Sequence, residues 1–293
     1  MTIAAGQATD SANVVTFTLA AALNKTTSAW AVGSGNGGLD TGTILSSAIG
    51  ATCSFATTVM TCTVAPTSGN FAVGQLISGN GLPSGTFITS LGTGTGGTGT
   101  YNLGTTPGTL AAQTTQGYSW YHFYAIRRPD TGVVDVVLSA NATTPTLPTN
   151  YTQYRRIGSG LMNGSGQWFK FKQLGDWFEW DIPFVDFNST GSTTAALLGL
   201  TVPYGVEVNA RVVFFSQTSN HFRFSNPNIT DTAPSNSVGA VGLALGITVA
   251  GASIVHNETC WTNTSAQIRH RSQSTATASI NTHGYYDPRG ENN

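Results

Sequence analysis

The stretch VEVNARVVF, residues 206–214, decides the fold class of this chain. Its apolar side chains occupy every second position and alternate with Glu207, Asn209 and Arg211. Successive side chains of a β-strand point to opposite faces of a sheet, so this period of two predicts a strand with one buried and one solvent-facing side. Elsewhere apolar residues recur in the same way, or in short runs between Gly, Pro, Asn and Thr, and helical spacing is nearly absent. Strands are therefore expected to form the whole fold.

A second stretch indicates how the strands pack. Residues 132–138 are apolar on both faces of a predicted strand, apart from Asp135, which is typical of a strand enclosed between two layers. The chain has 293 residues, a length that one large all-β domain can reach. We predict an all-β protein whose body is an antiparallel, jelly-roll-like β-sandwich.

Charge is scarce along the whole chain. Charged residues make up 9% of it, against about 25% in typical soluble domains. Twelve Lys and Arg against 13 Asp and Glu leave a net charge of −1, which supplies no field to hold nucleic acid or an anionic membrane. No apolar run reaches the ~18 residues of a membrane-spanning helix, and the start, MTIAAGQATD, lacks the basic and apolar regions of a secretory signal. We therefore expect neither nucleic acid nor a membrane as a partner, and assembly in the cytoplasm where the protein is made.

The distribution of charge divides the chain. No Asp, Glu, Lys or Arg occurs between Asp40 and Arg127. Within this gap short apolar segments alternate with glycine turns, which predicts a small ordered β module rather than a flexible linker. We assign residues 43–117 to an inserted Gly/Thr-rich β module, and residues 1–42 and 118–293 to the body. Because insertions are accepted at exposed loops, the module is expected to project from the body as its solvent-facing part.

The chain has three cysteines, Cys53, Cys62 and Cys260, which are too few for a disulfide scaffold and wrongly spaced for a zinc site. Thr57 and Thr58 lie midway between the first two. A hairpin that turns there places Cys53 and Cys62 opposite each other, close enough for a cross-strand disulfide. Two buried free thiols that pack as small apolar residues are the alternative.

Aromatic residues dominate the segment WFKFKQLGDWFEW, residues 168–180. Its alternation predicts a tight hairpin with Leu174 and Gly175 as the central turn residues. Trp168 and Trp177 would then lie on an outer face, where they contact a neighbouring subunit or, alternatively, stack on a sugar ring. The register pairs Phe171 with Phe178 and Phe169 with Trp180 on the core side, and Lys172 with Trp177 and Lys170 with Glu179 on the other side.

The residues give little support to catalytic or metal-binding chemistry. A glycosidase needs two carboxylates about 5 to 10 Å apart, and the acids of one region were considered for this role: Asp176, Glu179, Asp181 and Asp186. We interpret them as solvated or paired, because the predicted strand face already carries Lys170. The five histidines are scattered, and nucleophile-elbow, zinc-protease, calcium-loop and phosphate-loop motifs are absent. We predict no catalytic residue, no cofactor and no metal, and hence a protein that is not an enzyme.

Several motifs carry a family resemblance. They are GGLDTG (37–42), YHFYAIRRPDTGVVDVVLS (121–139), PTLPTNYTQYRRIGS (145–159), FKFKQLGDWFEW (169–180) and THGYYDPRG (282–290). In these stretches the chain resembles virion proteins of tailed bacteriophages and prophages that are described as tail-fibre-like or structural, and the resemblance extends over most of the body. The text between the first two motifs is itself similar to a small β module that recurs in phage structural proteins.

The resemblance implies a structural part of a virion, assembled in the cytoplasm of the host bacterium. Its place would be a tail fibre, another part of the tail, or a decoration of the capsid surface. It also implies a homo-oligomer, for which a fibre favours a trimer, with other virion proteins and a glycan of the host surface as further partners. Two rival functions stay open: a carbohydrate-binding adhesin, and a polysaccharide depolymerase that uses the acids between Asp176 and Asp186.

Overall fold

The computed structural model describes residues 1–10, 12, 14–42, 48–83, 85–163, 165–216, 221–235, 245–246, 254–275 and 277–289. None of these residues forms an α-helix, which confirms the all-β prediction. Accordingly, no described segment could cross a membrane as a helix. Residues 43–47 and 84 of the predicted module and Gly290 of the last motif lie outside the described residues. The strands are Thr2–Ile3 (β1), Gly6–Thr9 (β2), Thr16–Leu19 (β3), Leu23–Asn24 (β4), Thr26–Ala29 (β5), Gly37–Leu39 (β6), Ala51–Ala56 (β7), Val59–Val64 (β8), Leu76–Ser78 (β9), Ile88–Leu91 (β10), Gly99–Leu103 (β11), Leu110–Arg127 (β12), Val134–Ser139 (β13), Gln153–Met162 (β14), Phe171–Leu174 (β15), Trp177–Thr190 (β16), Ala196–Gly199 (β17), Asn209–Ser216 (β18), His221–Ser225 (β19), Leu245–Gly246 (β20), Ile254–Trp261 (β21), Gln267–Ser272 (β22) and Thr277–Tyr286 (β23).

The body contains a two-sheet sandwich. One sheet has the strand order β15-β16-β23-β18-β21 and the other β17-β22-β19-β20, and the pairs within both are antiparallel. In β18 the side chains of Ala210, Val212 and Phe214 are fully buried, as the period of two predicts. They share one core with apolar side chains from both sheets, among them Phe178, Trp180, Tyr285, Leu198, Ile268 and Phe222.

A third, mixed sheet lies beside the sandwich. Its strand order is β10-β11-β8-β7-β12-β13-β6-β5, with β14 and β9 also paired to β12. The pairs β5–β6 and β6–β13 are parallel, so the body is not antiparallel throughout. Gly37 permits the close approach of β5 and β6, because a Cβ at this position would collide with the carbonyl oxygen of Ala29. The enclosed strand predicted at residues 132–138 is β13 of this sheet, and Val136, like its two successors, is fully buried.

Strand β12 joins the predicted module to the body. Its first half pairs with β7 and β9, and its second half pairs with β13 and β14, so the predicted boundary at residues 117 and 118 falls inside one strand. The module also contacts the sandwich: Leu76 and Phe87 belong to the sandwich core, and a Cβ on Gly199 would collide with the backbone of Gly85. The module therefore lies against the body along this side rather than projecting free of it. A separate core fills its interior: Ala48, Ala51, Cys53, Phe55, Met60, Cys62, Phe71, Ile77, Ile88, Tyr101 and Leu103.

The aromatic hairpin forms, but its predicted register is wrong. The central turn residues are Gly175 and Asp176, so that Leu174 pairs with Trp177 and Phe171 with Trp180. Gly175 has φ +60°, which suits the first central position of a two-residue turn and explains the choice. The predicted pairs shift accordingly: Gln173 lies opposite Phe178, and Lys172 rather than Lys170 lies opposite Glu179.

Candidate functional site

The outer face of the five-stranded sheet exposes a large amount of apolar surface. Single exposed apolar residues are normal on a soluble protein, but a contiguous group of them marks an interaction surface. The most exposed on this face is Val255, at 62%, and Ile182, in the irregular stretch of β16 between Glu179 and Phe184, is 76% exposed. Six large apolar residues of β15, β16 and β21 are at least 40% exposed: Leu174, Trp177, Ile182, Val185, Val255 and Trp261.

Three aromatic side chains cross this face in one line, which we call the aromatic row: Trp177, Tyr286 and Trp261. Trp177 pairs with Tyr286, Tyr286 with Asn209, and Asn209 with Trp261. The ring centres of Trp177 and Tyr286 are 5.5 Å apart, and those of Tyr286 and Trp261 are 6.5 Å apart. Because Leu174 pairs with Trp177, the line spans all five strands, or roughly 19 Å at ~4.8 Å per strand spacing.

Strand alternation explains why these rings point outward. Each ring of the aromatic row has a core residue as its neighbour in sequence, since Phe178, Tyr285 and Cys260 are buried. The rings are inclined to each other, at 60° between Trp177 and Tyr286 and 90° between Tyr286 and Trp261. Inclined, half-exposed Trp and Tyr side chains are the kind of anchor that protein interfaces use.

The charges beside the aromatic row neutralise each other. Arg211 donates to Glu179 across 3.1 Å, and both side chains are about half exposed. Glu179 therefore pairs with Arg211 and not, as the predicted register had it, with Lys170. Desolvation and the nearby Arg211 guanidinium lower the pKa of His283, so this imidazole stays neutral at pH 7. Apart from the exposed Lys172 of β15, which lies opposite Glu179, the groups that border the aromatic row carry little net charge.

The structure separates the two tryptophans that the sequence placed together. Trp177 is 45% exposed and lies in the aromatic row. Trp168 is half-buried, with its ring 5.9 Å from Tyr121 and 5.5 Å from Phe123, edge to face. The prediction missed Tyr286 and Trp261, although both follow the alternation of their own strands.

The acids considered for catalysis do not converge on one site. Asp176 forms an ion pair with Arg289, and Asp181 is exposed. Asp186 is fully buried on the core side of β16, where burial raises the pKa of its carboxyl to about 6. It accepts hydrogen bonds from the backbone N–H and the hydroxyl of Thr201 and from the hydroxyl of Thr282.

A buried polar network links several of the sequence motifs. His122 Nδ1 lies 2.8 Å from Ser159 Oγ, and Arg156 donates to Asp287 in two hydrogen bonds of 2.5 and 2.6 Å. Both His122 and Ser159 are enclosed, and burial together with the Arg156 charge lowers the pKa of His122 to about 3. A Ser–His pair closed to solvent has no access to a substrate, so this arrangement is structural. In the part of the chain that the structure describes, no group of three or more His, Cys, Asp and Glu could hold a metal ion.

Cys53 and Cys62 lie opposite each other on β7 and β8 and are joined by a disulfide, with their Cα atoms 4.0 Å apart. The hairpin turns at Thr57 and Thr58, where the sequence placed it. Cys260 is a buried free thiol whose pKa is raised to about 12 by desolvation. Its thiolate is therefore not formed at neutral pH.

Comparison of the chain with protein-family models, with curated proteins and with solved structures gives no match.

Proposed function

We propose that this chain is a non-enzymatic structural protein of a tailed-phage virion, and that its copies associate through the aromatic row. The observation that carries the proposal is the uncharged aromatic line across the open face of the five-stranded sheet. The phage-like motifs of the body support the virion setting. A tail fibre, another tail part or the capsid surface would each use such a self-associating β body.

The chemistry of the face favours another copy of the same chain as its partner. A net charge of −1 gives the chain little electrostatic repulsion against itself. Arg211 and Glu179 lie side by side, so a symmetric contact can exchange these charges between copies without leaving either unpaired. We propose a closed cyclic oligomer, and a trimer on the strength of the fibre-like motifs.

The positions of the polar groups also support a non-enzymatic role. Ser159 and His122 are enclosed, and Asp186 has three hydrogen-bond donors around it in the core. These buried groups stabilise the folded structure, and Asp186 is not accessible as a catalytic carboxylate of a depolymerase. An adhesin that stacks sugars on Trp168 and Trp177 is disfavoured as well, because Trp168 is packed against β12.

Sedimentation velocity tests the self-association. At micromolar concentration the wild-type chain is expected to sediment as an oligomer, and the double variant Trp177→Ala, Trp261→Ala as a monomer with an unchanged circular dichroism spectrum. Truncating one aromatic anchor at an interface centre costs about 2 kcal/mol or more, which is roughly 30-fold in Kd. Leu197→Ala is the matched control, since Leu197 is 48% exposed but belongs to the other sheet. A wild-type chain that stays monomeric would overturn the proposal.

The virion setting has its own test. An antibody raised against the chain is expected to label particles of the phage that encodes it, at the tail, the vertices or the capsid surface. Absence of the chain from purified particles would contradict a virion role, whatever its oligomeric state.

A further inference from the structure

We propose that a cleft formed by three loops on the mixed sheet binds a neutral saccharide. The loop cleft, as we call it, has a volume of about 740 Å³ and is lined by residues 29–32 with 39–42, residues 128–133 and residues 146–151. This volume suits a small ligand, because most ligand pockets fall between about 300 and 1,000 Å³. The inference goes beyond the structural role proposed above and does not depend on it.

The loop cleft has an aromatic floor that is held in place. The rings of Trp30 and Tyr151 meet edge to face, with their centres 5.3 Å apart. Trp30 donates its indole N–H to the carbonyl of Val136 at 3.1 Å, and the ammonium of Lys25 lies 5.5 Å from the ring centre. The buried ion pair between Lys25 and Asp135, at 2.8 Å, fixes that ammonium in turn. A partly exposed indole with a fixed orientation can take an apolar sugar face without losing side-chain freedom on binding.

The polar groups at the rim favour a neutral ligand over an anion. Arg128 donates two hydrogen bonds to Asp130, at 3.1 and 2.7 Å, so its charge is already compensated. Asp40 presents a carboxylate to the loop cleft, and its Oδ2 accepts the N–H of Thr146 at 3.0 Å. A carboxylate accepts hydrogen bonds from sugar hydroxyls and repels phosphate or carboxylate groups. The exposed hydroxyl of Thr149 adds a group that can both donate and accept.

Three of the sequence motifs supply these residues. GGLDTG contributes Asp40, RRPDTG contributes Arg128, and PTLPTNY contributes Tyr151. The proposed self-association through the aromatic row does not involve these three loops. The loop cleft also stays open to solvent, because Val32 and Val133 at its margin are 53% and 41% exposed.

Fluorine NMR of the full chain labelled with 5-fluorotryptophan tests the inference directly. The chain has six tryptophans, and a Trp30→Phe variant assigns the resonance of Trp30. The probes are glucose, galactose, rhamnose and N-acetylglucosamine at millimolar concentrations, with N-acetylneuraminic acid as the anionic comparison. We expect at least one neutral probe to shift the Trp30 resonance saturably, and the anionic probe to leave it in place.

An Asp40→Asn variant tests the role of the rim, since its amide oxygen can still accept the N–H of Thr146. We expect it to retain the fold and to weaken the neutral probe roughly tenfold or more, because a hydrogen bond to a charged acceptor becomes one to a neutral acceptor. Leu197→Ala, at an exposed position of β17 that belongs neither to the loop cleft nor to the aromatic row, is the matched control and should bind as the wild type does. The inference is overturned if no neutral probe shifts Trp30, if Asp40→Asn binds as tightly as the wild type, or if the resonances of Trp177 and Trp261 respond in place of Trp30.

Discussion

Replacing Asp186 by Asn is expected to stabilise the protein above pH 6 and to change little near pH 4. Asp186 is enclosed in the sandwich core, where desolvation raises the pKa of its carboxyl from 3.8 to about 6 despite the hydrogen bonds from Thr201 and Thr282. The carboxyl of Asp186 therefore binds its proton more tightly in the folded state than in the unfolded chain. Well below pH 4 the carboxyl is protonated in both the folded and the unfolded state, and its burial then carries no ionisation penalty. As the pH rises from about 4 to about 6, the unfolded chain releases the proton first and stability is lost.

The size of the effect follows from the two pKa values. The gap between 3.8 and about 6, at ~1.36 kcal/mol per pH unit, amounts to about 3 kcal/mol of lost stability above pH 6. An Asn at this position carries no charge. Its oxygen can accept from the backbone N–H of Thr201 and the hydroxyl of Thr282, which share one oxygen of Asp186, and its amide can donate to the hydroxyl of Thr201, so the core polar groups stay satisfied. We expect Asp186→Asn to exceed the wild type by up to about 3 kcal/mol at pH 8.

Urea unfolding at fixed protein concentration, from pH 4 to pH 8, measures this difference. The variant must be compared with the wild type at each pH, because His122 and His270 act in the opposite direction. Burial lowers the pKa values of these two imidazoles from 6.5 to about 3 and about 4. Each histidine therefore makes the folded protein less stable as the pH falls below 6.5. Subtracting the stability of the wild type from that of the variant at each pH removes the contribution of the two histidines. Asp181→Asn, at an exposed position of the same strand, is the matched control. A variant-minus-wild-type difference that does not change with pH would refute the argument.

Three other contacts predict measurable outcomes. Thiol titration of the denatured, unreduced chain should find one reactive thiol because Cys53 and Cys62 are bridged, and three thiols would contradict the bridge. Asp287→Asn should cost ~3 to 5 kcal/mol in urea unfolding, since it leaves Arg156 as an uncompensated buried charge; a loss below 1 kcal/mol would argue against the pair. Gly199→Ala should lower the melting temperature and expose the inserted module to limited proteolysis, because the new Cβ meets a backbone carbonyl across the interface; unchanged cleavage would speak against that contact.

Strand alternation predicted the fold class and the faces of individual strands, but it could not set the pairing between strands. The inward side chains of β18 were read correctly from the stretch 206–214. In the aromatic hairpin the core and outer sides are right, whereas the turn is displaced by one residue to Gly175 and Asp176. Glycine suits more than one position of a tight turn, and the structure places Gly175, with φ +60°, at the first central position. The parallel pairing of β5 and β6 corresponds to no alternation of apolar and polar residues from which it could have been predicted.

The candidate site was predictable only in part, for the same physical reason. Alternation places Trp177 on an outer face, but the aromatic row needs Tyr286 and Trp261, which come from β23 and β21. The sheet order β16-β23-β18-β21 brings these strands together against their order in the chain. Alternation placed Trp168 on an outer face as well, but in the structure its ring packs against Tyr121 and Phe123 of β12. The local alternation predicts the face of the strand on which a side chain lies. Which residues contact it there depends on strands that are distant in the sequence.

Charge is scarce in this chain, and two of its ion pairs are buried and join segments that are distant in the sequence. Lys25 pairs with Asp135 in full burial, and Arg156 pairs with Asp287 across the gap between β14 and the end of β23. A buried ion pair is weak evidence for stability, because desolvation offsets much of the attraction, but it tolerates no other partner and can thus specify which segments meet. Charges committed to the interior are not available to the surface. The same scarcity leaves few charged residues beside the aromatic row to keep copies of the chain apart.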